Sequence, residues 1–235
     1  MTISNVGHAS VAGAFMPRSQ AHIACDAWDA WARGDDARSQ AAQRVRHCVE
    51  RGELSLNLSG LGLTSLPEHI GQLDHVVDLD LRDNKLQALP ESIGQLQQLR
   101  ALHVGDNALT ALPHALGRLK MLRTLVANNN QLRDLPESMR EMTELHTLDI
   151  SENHLESLSP HLPPSITALY AASNQMTSLP DHVTSLPNVQ LIDVQFNPLS
   201  EDTLSKLEKF SPQSGSLTPI VLFYPSQAHS STTLG

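Results

Sequence analysis

An asparagine returns at a near-constant interval through the middle of the chain. Asn84, Asn107, Asn130, Asn153, Asn174 and Asn197 are separated by 23, 23, 23, 21 and 23 residues. One frame surrounds all of them: VVDLDLRDNKL, LRALHVGDNAL, LRTLVANNNQL, LHTLDISENHL, ITALYAASNQM and VQLIDVQFNPL. Leu89, Leu112, Leu135, Leu158 and Leu179 follow the frames, usually with Pro next. From Leu99 to Leu122 the apolar steps are 3, 2, 5, 3, 4, 3 and 3. A helix would step by threes and fours and a strand by twos. The chain must therefore fold as one mixed coil, repeated.

Within a frame the apolar residues alternate, which predicts a short strand with Leu inward. The Asn then turns the chain, and its amide is expected to bond backbone groups that the bend leaves unpaired. The Leu-Pro step and the xxIGxL or xxLGxL segment return along the convex side. No single coil can bury its apolar edge, but stacked coils share a core. This is the leucine-rich repeat pattern L-x-x-L-x-L-x-x-N-x-L. It predicts an α/β fold, a leucine-rich-repeat solenoid with a curved parallel sheet.

Both ends of such a stack need covering. Residues 1–20 are small and polar and read as disordered. Residues 21–52 read as a helical N-terminal cap. Ala24, Ala27, Trp28 and Trp31 share one helical face. Asp35 and Asp36 suit the start of a second helix, and Gly52 its end. Ala41, Val45, Cys48 and Val49 form that helix's apolar face. The two Trp are expected to pack the cap, with partner contact the alternative. Repeats occupy 53–199. The first has Leu61 in the Asn slot, as terminal repeats are often atypical. In the short fifth repeat Pro160, Pro163 and Pro164 exclude a convex helix. Residues 200–235 form a C-terminal cap and tail: a helix with Ser200 as N-cap, a strand from Ile220 to Tyr224, and a disordered end.

Charged residues make up 17% of the chain and the net charge is −9. An acidic balance argues against nucleic acid as partner. Cys25 and Cys48 both precede the repeats, 23 residues apart and in no C-x-x-C pair, so no metal or other cofactor is expected. The two read as reduced core thiols, with a bridge between the cap helices left open. His103 and His146 should lie two strands apart, about 10 Å, too far to share an ion. No apolar run approaches the ~18 residues of a membrane span. The N-terminus lacks the charged start and apolar core of a cleaved secretory signal.

The residues free to specify a partner are those pointing outward from the sheet. At mid-strand they are Asn57, Asp80, His103, Val126, Asp149, Tyr170 and Asp193. The residue before each Asn forms a second column: Gly60, Asp83, Asp106, Asn129, Glu152, Ser173 and Phe196. Arg100, Arg123 and His146 lie beside the first column. The candidate partner-binding set is thus Asp80, Arg100, His103, Arg123, Val126, His146, Asp149, Tyr170, Asp193 and Phe196. Tyr170 and Phe196 stand out because only 3% of the chain is aromatic. Either supplies a binding hot spot or packs on the C-terminal cap.

Several segments resemble bacterial effectors. AWDAWARGDDARSQAAQRVRHCVERGELSLNLSGLGLTSLP resembles the lead-in to the repeats of type III effectors with leucine-rich repeats. NPLSEDTLSKLEKF, followed by IVLF, resembles the exit from the repeats in IpaH/SspH-type ubiquitin ligases. LPESIGQLQQL is similar to the repeats of plant-pathogen effectors of the XopL/XopAE/HpaG type. The resemblance implies secretion by a type III system, with residues 1–20 a candidate signal, and action in the host cytoplasm. It implies a monomer that binds a host protein on its concave face. Those ligases hold a catalytic Cys in a C-x-D motif in a separate helical domain. CDA at Cys25 and CVE at Cys48 do not match it, and the 36 residues after Leu199 are expected to be too few for that domain. No nucleophile-base arrangement or phosphate loop is found, so the chain is expected not to be an enzyme. The alternative is the substrate-recognition part of a ubiquitin ligase whose catalytic domain is missing or encoded separately.

Overall fold

The computed structural model describes residues 18–158, 160, 162–208 and 220–223, with side chains from residue 23. Helix α1 (Arg18–Ala32) and helix α2 (Asp36–Arg51) form the N-terminal cap. α1 begins before the boundary expected at residue 21. Asp35 caps α2 by accepting the Arg38 N–H at 2.8 Å. Gly52 ends α2 at φ 63°, a conformation that favours Gly. Trp28 is buried, and Trp31 meets it edge-on at 5.3 Å between ring centroids. The Arg38 guanidinium lies 5.1 Å from the Trp31 ring centroid. Cys25 and Cys48 are free thiols, so there is no bridge between the cap helices.

Eight parallel strands follow in sequential order: β1 (Ser55–Asn57), β2 (Asp78–Asp80), β3 (Ala101–His103), β4 (Thr124–Val126), β5 (Thr147–Asp149), β6 (Ala168–Tyr170), β7 (Leu191–Asp193) and β8 (Ile220–Leu222). The mid-strand Leu56, Leu79, Leu102, Leu125, Leu148 and Leu169, with Ile192, are in register and buried. One apolar core runs from Ala24 in the cap to Leu207. β8 adds an eighth strand to the seven repeats, paired parallel to β7. It ends at Leu222. Tyr224, the N-terminal segment before Arg18 and the tail lie outside the described residues.

The expected role of the Asn column is met in full geometric detail. Asn130 Oδ1 accepts the Leu109 N–H from the preceding coil at 2.9 Å. Its amide nitrogen lies within hydrogen-bond distance of the Val104, Ala127 and Asn128 carbonyl oxygens. Asn84, Asn107, Asn153, Asn174 and Asn197 repeat the arrangement, each accepting an N–H from the coil before. The residue ahead of each Asn is left-handed, with φ between 50° and 56° at Asp83, Asp106, Asn129, Glu152, Ser173 and Phe196, and Gly60 holds the equivalent place ahead of Leu61 at 68°. In the first coil, where Leu61 replaces the Asn, Arg44 of α2 substitutes. Its guanidinium donates to the carbonyls of Asn57 at 3.1 Å and Ser59 at 3.2 Å.

On the convex side short 3-10 turns occupy Glu68–Gln72, Glu91–Gln95, His114–Arg118 and Glu137–Glu141. Each starts after an extended Pro that fixes φ between −66° and −76°. The Gly in the xIGx or xLGx step has a steric cause. A Cβ on Gly94 would sit 2.4 Å from the Ala115 carbonyl oxygen, and one on Gly117 2.4 Å from that of Ser138. The turn of each following coil stacks there. Arg140 occupies the corresponding place in the fourth coil, and the described residues of the proline-rich segment after it form no helix, as expected. The sixth coil carries helix α3 (Asp181–Thr184). Helix α4 (Glu201–Glu208) follows the repeats, with the Ser200 hydroxyl accepting the Thr203 N–H at 3.3 Å.

This packing fixes how four substitutions should change stability. Asn130→Ala should cost about 1–3 kcal/mol by stripping partners from buried backbone groups. Leu102→Ala should cost about 2–5 kcal/mol by opening a cavity. Urea midpoints measure both, and an unchanged midpoint for Asn130→Ala would remove the Asn from its corner-closing role. Gly94→Ala should cost about 1–3 kcal/mol through overpacking, whereas Arg140→Ala should stay within about 0.5 kcal/mol. Equal midpoints for that pair would show that the stacked turns do not exclude a side chain.

Candidate functional site

Because the Leu of each strand points into the core, its neighbours point the other way. The last strand residues Asn57, Asp80, His103, Val126, Asp149, Tyr170, Asp193 and Leu222 are paired in register across all eight strands. The first strand residues Ser55, Asp78, Ala101, Thr124, Thr147, Ala168, Leu191 and Ile220 form a second row. Arg100, Arg123 and His146 immediately precede β3, β4 and β5 and make a third, basic row. Nine of the ten candidate residues thus lie in or beside one sheet face. Phe196 sits apart, in the turn after β7, with 64% of its surface exposed.

Asp80 differs from its expected role as a free surface residue. It is 9% exposed and is held within the molecule. Its Oδ1 accepts the Arg82 backbone N–H at 3.0 Å, and the Arg82 guanidinium donates to both carboxylate oxygens, at 3.0 and 2.7 Å. These bonds hold the Asp80 carboxyl below the usual carboxylate range, the side-chain bond from Arg82 contributing most. Asn57, Asp149 and Asp193 make the same short turn, accepting the N–H of Ser59, Ser151 and Gln195. This column therefore shapes the strand exits as well as the surface. The recurrence of Asn or Asp two residues before the turn was its sequence signal.

The remaining charges are arranged unevenly. His103 Nε2 lies 3.8 Å from Asp78, and Arg123 lies 3.8 Å from Glu144. The His146 ring nitrogen Nδ1 contacts the Glu144 carbonyl. His103 and His146 stand on or beside β3 and β5, separated by β4. Among the described residues no three His, Cys, Asp or Glu are grouped to hold a metal ion, and no helix is long and apolar enough to cross a membrane. Asp83, Asp106, Glu152 and Phe196 belong to the left-handed column, so backbone geometry constrains residue choice there. Gly, Asp and Asn tolerate that geometry well, but Phe does not.

Comparison with known proteins agrees with this architecture. A family model for a leucine-rich repeat region matches residues 54–158. No curated protein matches the sequence. Among solved structures, the leucine-rich effector YopM of Yersinia pestis is 32% identical with a TM-score of 0.63. That match covers 78% of this chain and 49% of YopM. The leucine-rich-repeat domain of a Shigella effector is 25% identical with a TM-score of 0.62, over 88% of this chain and 98% of that domain. A leucine-rich-repeat protein of Leptospira interrogans is 33% identical with a TM-score of 0.59, over 60% of this chain and 37% of the other. The chain spans half or less of the Yersinia and Leptospira proteins. Residues 54–158 are a leucine-rich repeat region, and the whole described chain is a leucine-rich-repeat solenoid whose structural neighbours include bacterial leucine-rich effectors.

Proposed function

We propose that this chain is a secreted bacterial effector that binds a host protein on its concave sheet face. The observation that carries this reading is the register-matched outward column from Asn57 to Leu222. Eight strands at about 4.8 Å present a surface roughly 34 Å long, on the scale of a protein interface. Each position is held by a paired strand, so little conformational freedom is lost on binding. Similarity to the Yersinia and Shigella effectors supports secretion and action in a host cell. Delivery by a type III system, the kinship with XopL/XopAE/HpaG-type effectors and a monomeric state belong to the same proposal. Tyr170 supplies apolar area, while Arg100, Arg123, His103 and Asp149 orient the partner.

The chain acts by binding and not by catalysis. Both cysteines are buried, and burial pushes the Cys48 thiol up to about 11 and raises that of Cys25. Thiols held protonated at neutral pH are poor nucleophiles. An autoubiquitination reaction with ubiquitin-activating and ubiquitin-conjugating enzymes should yield no chains. Chain formation lost in Cys25→Ala or Cys48→Ala would overturn the non-catalytic reading.

Tyr170→Ala combined with Arg123→Glu should leave the melting temperature within a few degrees. It should weaken capture of the host partner at least about tenfold, near 1.4 kcal/mol. The convex comparison is Gln95→Ala with Arg118→Ala, both exposed and both in the 3-10 turns. Partner loss in the convex variant, with capture retained in the concave one, would move the binding face to the other side.

A further inference from the structure

Asp80, Asp149 and Asp193 use one carboxylate oxygen alike, to accept a backbone N–H two residues on. Their charges are met differently. The residue two positions on is Arg82 in the second coil, and its guanidinium neutralises Asp80. In the fifth and seventh coils that residue is Ser151 or Gln195, which carries no charge. Among the described residues neither Asp149 nor Asp193 has a basic side chain within ion-pair distance. Between them, in register with both, stands Tyr170. Ala168 precedes Tyr170 by two positions and Ala172 follows by two, so small side chains flank it along the strand direction. Leu191 borders Ala168 on the next strand.

We propose that this surface receives an arginine side chain of the protein partner, stacked on Tyr170 between the Asp149 and Asp193 carboxylates. The inference rests on the concave-face reading and names the chemistry of its occupant. A planar guanidinium can lie on an aromatic face while its edge donors reach carboxylates on either side. Neighbouring strands are about 4.8 Å apart, which sets the two carboxylate-bearing strands about 10 Å apart with the strand of Tyr170 midway. Leu191 offers apolar surface to the methylene stem. The second coil shows how this chain satisfies such a carboxylate internally, with the guanidinium of Arg82. In the fifth and seventh coils charge complementarity leaves that role to the partner.

Asn57 makes a clean test available. It occupies the same column and accepts the Ser59 N–H as the aspartates accept theirs. Asp149→Asn with Asp193→Asn therefore removes both charges and keeps both turns. The probe is N-acetyl-arginine amide, titrated into the isotopically labelled full chain and followed by amide chemical shifts. The neutral isostere N-acetyl-citrulline amide is the comparison. Saturable shifts are expected at Tyr170, Ser151 and Gln195 with the arginine derivative, at least about tenfold weaker with citrulline or in the double Asn variant. Equal response to the two compounds, unchanged response in the variant, a lysine derivative binding as well as arginine, or no localised shift each overturns the arginine site. Partner capture separates this from failure of the parent reading. If the Tyr170→Ala/Arg123→Glu protein loses the partner while the double Asn protein keeps it, the face binds without this site. If both keep it, the concave reading itself fails.

Discussion

The solenoid depends on the side-chain amide of its repeating asparagine. A chain that turns sharply after a three-residue strand leaves backbone groups that the next strand cannot reach. Each Asn gathers carbonyls from its own coil and from the one before, and accepts an N–H from the preceding coil. Neighbouring coils are thus tied together at every corner inside an apolar core, where an unmet polar group is costly. The short fifth repeat keeps the same bonds through Asn174. Its two missing residues are absorbed on the convex side, where the strand register is unaffected.

The same corner dictates its neighbours. The residue before each Asn must be left-handed, so Gly, Asp, Asn and Ser recur there, and Glu152 and Phe196 are the bulkier exceptions. Convex stacking imposes a second rule, Gly wherever the next coil places a carbonyl against it. Where the next coil changes shape, at Arg140, the rule lapses. The N-terminal end solves the corner without an Asn. Arg44 reaches across from the cap and donates to the Ser59 carbonyl, the position equivalent to Arg82 that Asn84 serves in the next coil. The cap is therefore bonded to the first repeat as well as packed on it.

With the core and corners so constrained, variation is concentrated on the outward face. Even there, part of the column is structural. Asp80 is committed to Arg82, and four members shape the turns that follow their strands. What remains for a partner is Tyr170 with the second oxygen of each flanking carboxylate, Asp149 and Asp193, the basic row of Arg100, Arg123 and His146, and the apolar Ile220 and Leu222 of the last strand. These differ in chemistry along the stack, which suits one partner lying across several strands.

The repeat spacing, by itself, determined the solenoid, the strand positions, the inward Leu and the corner role of Asn107 and its equivalents. Period and alternation are local properties that each coil must satisfy in the same way. Asp35, Ser200 and Gly52 announced the helix ends for the same reason, since caps act within a turn of their own position. Only the tertiary structure decided what Leu61 left unserved and how Arg44 supplies it, because those residues meet through packing of separate elements. It alone paired β8 with β7 and extended the outward column to Leu222. It also separated Asp80 from Asp149 and Asp193. All three are Asp at one position of the frame, and the sequence places Arg82 near the first alone; that its guanidinium turns back onto the Asp80 carboxylate, and not out toward a partner, is a side-chain conformation that only the folded surface fixes.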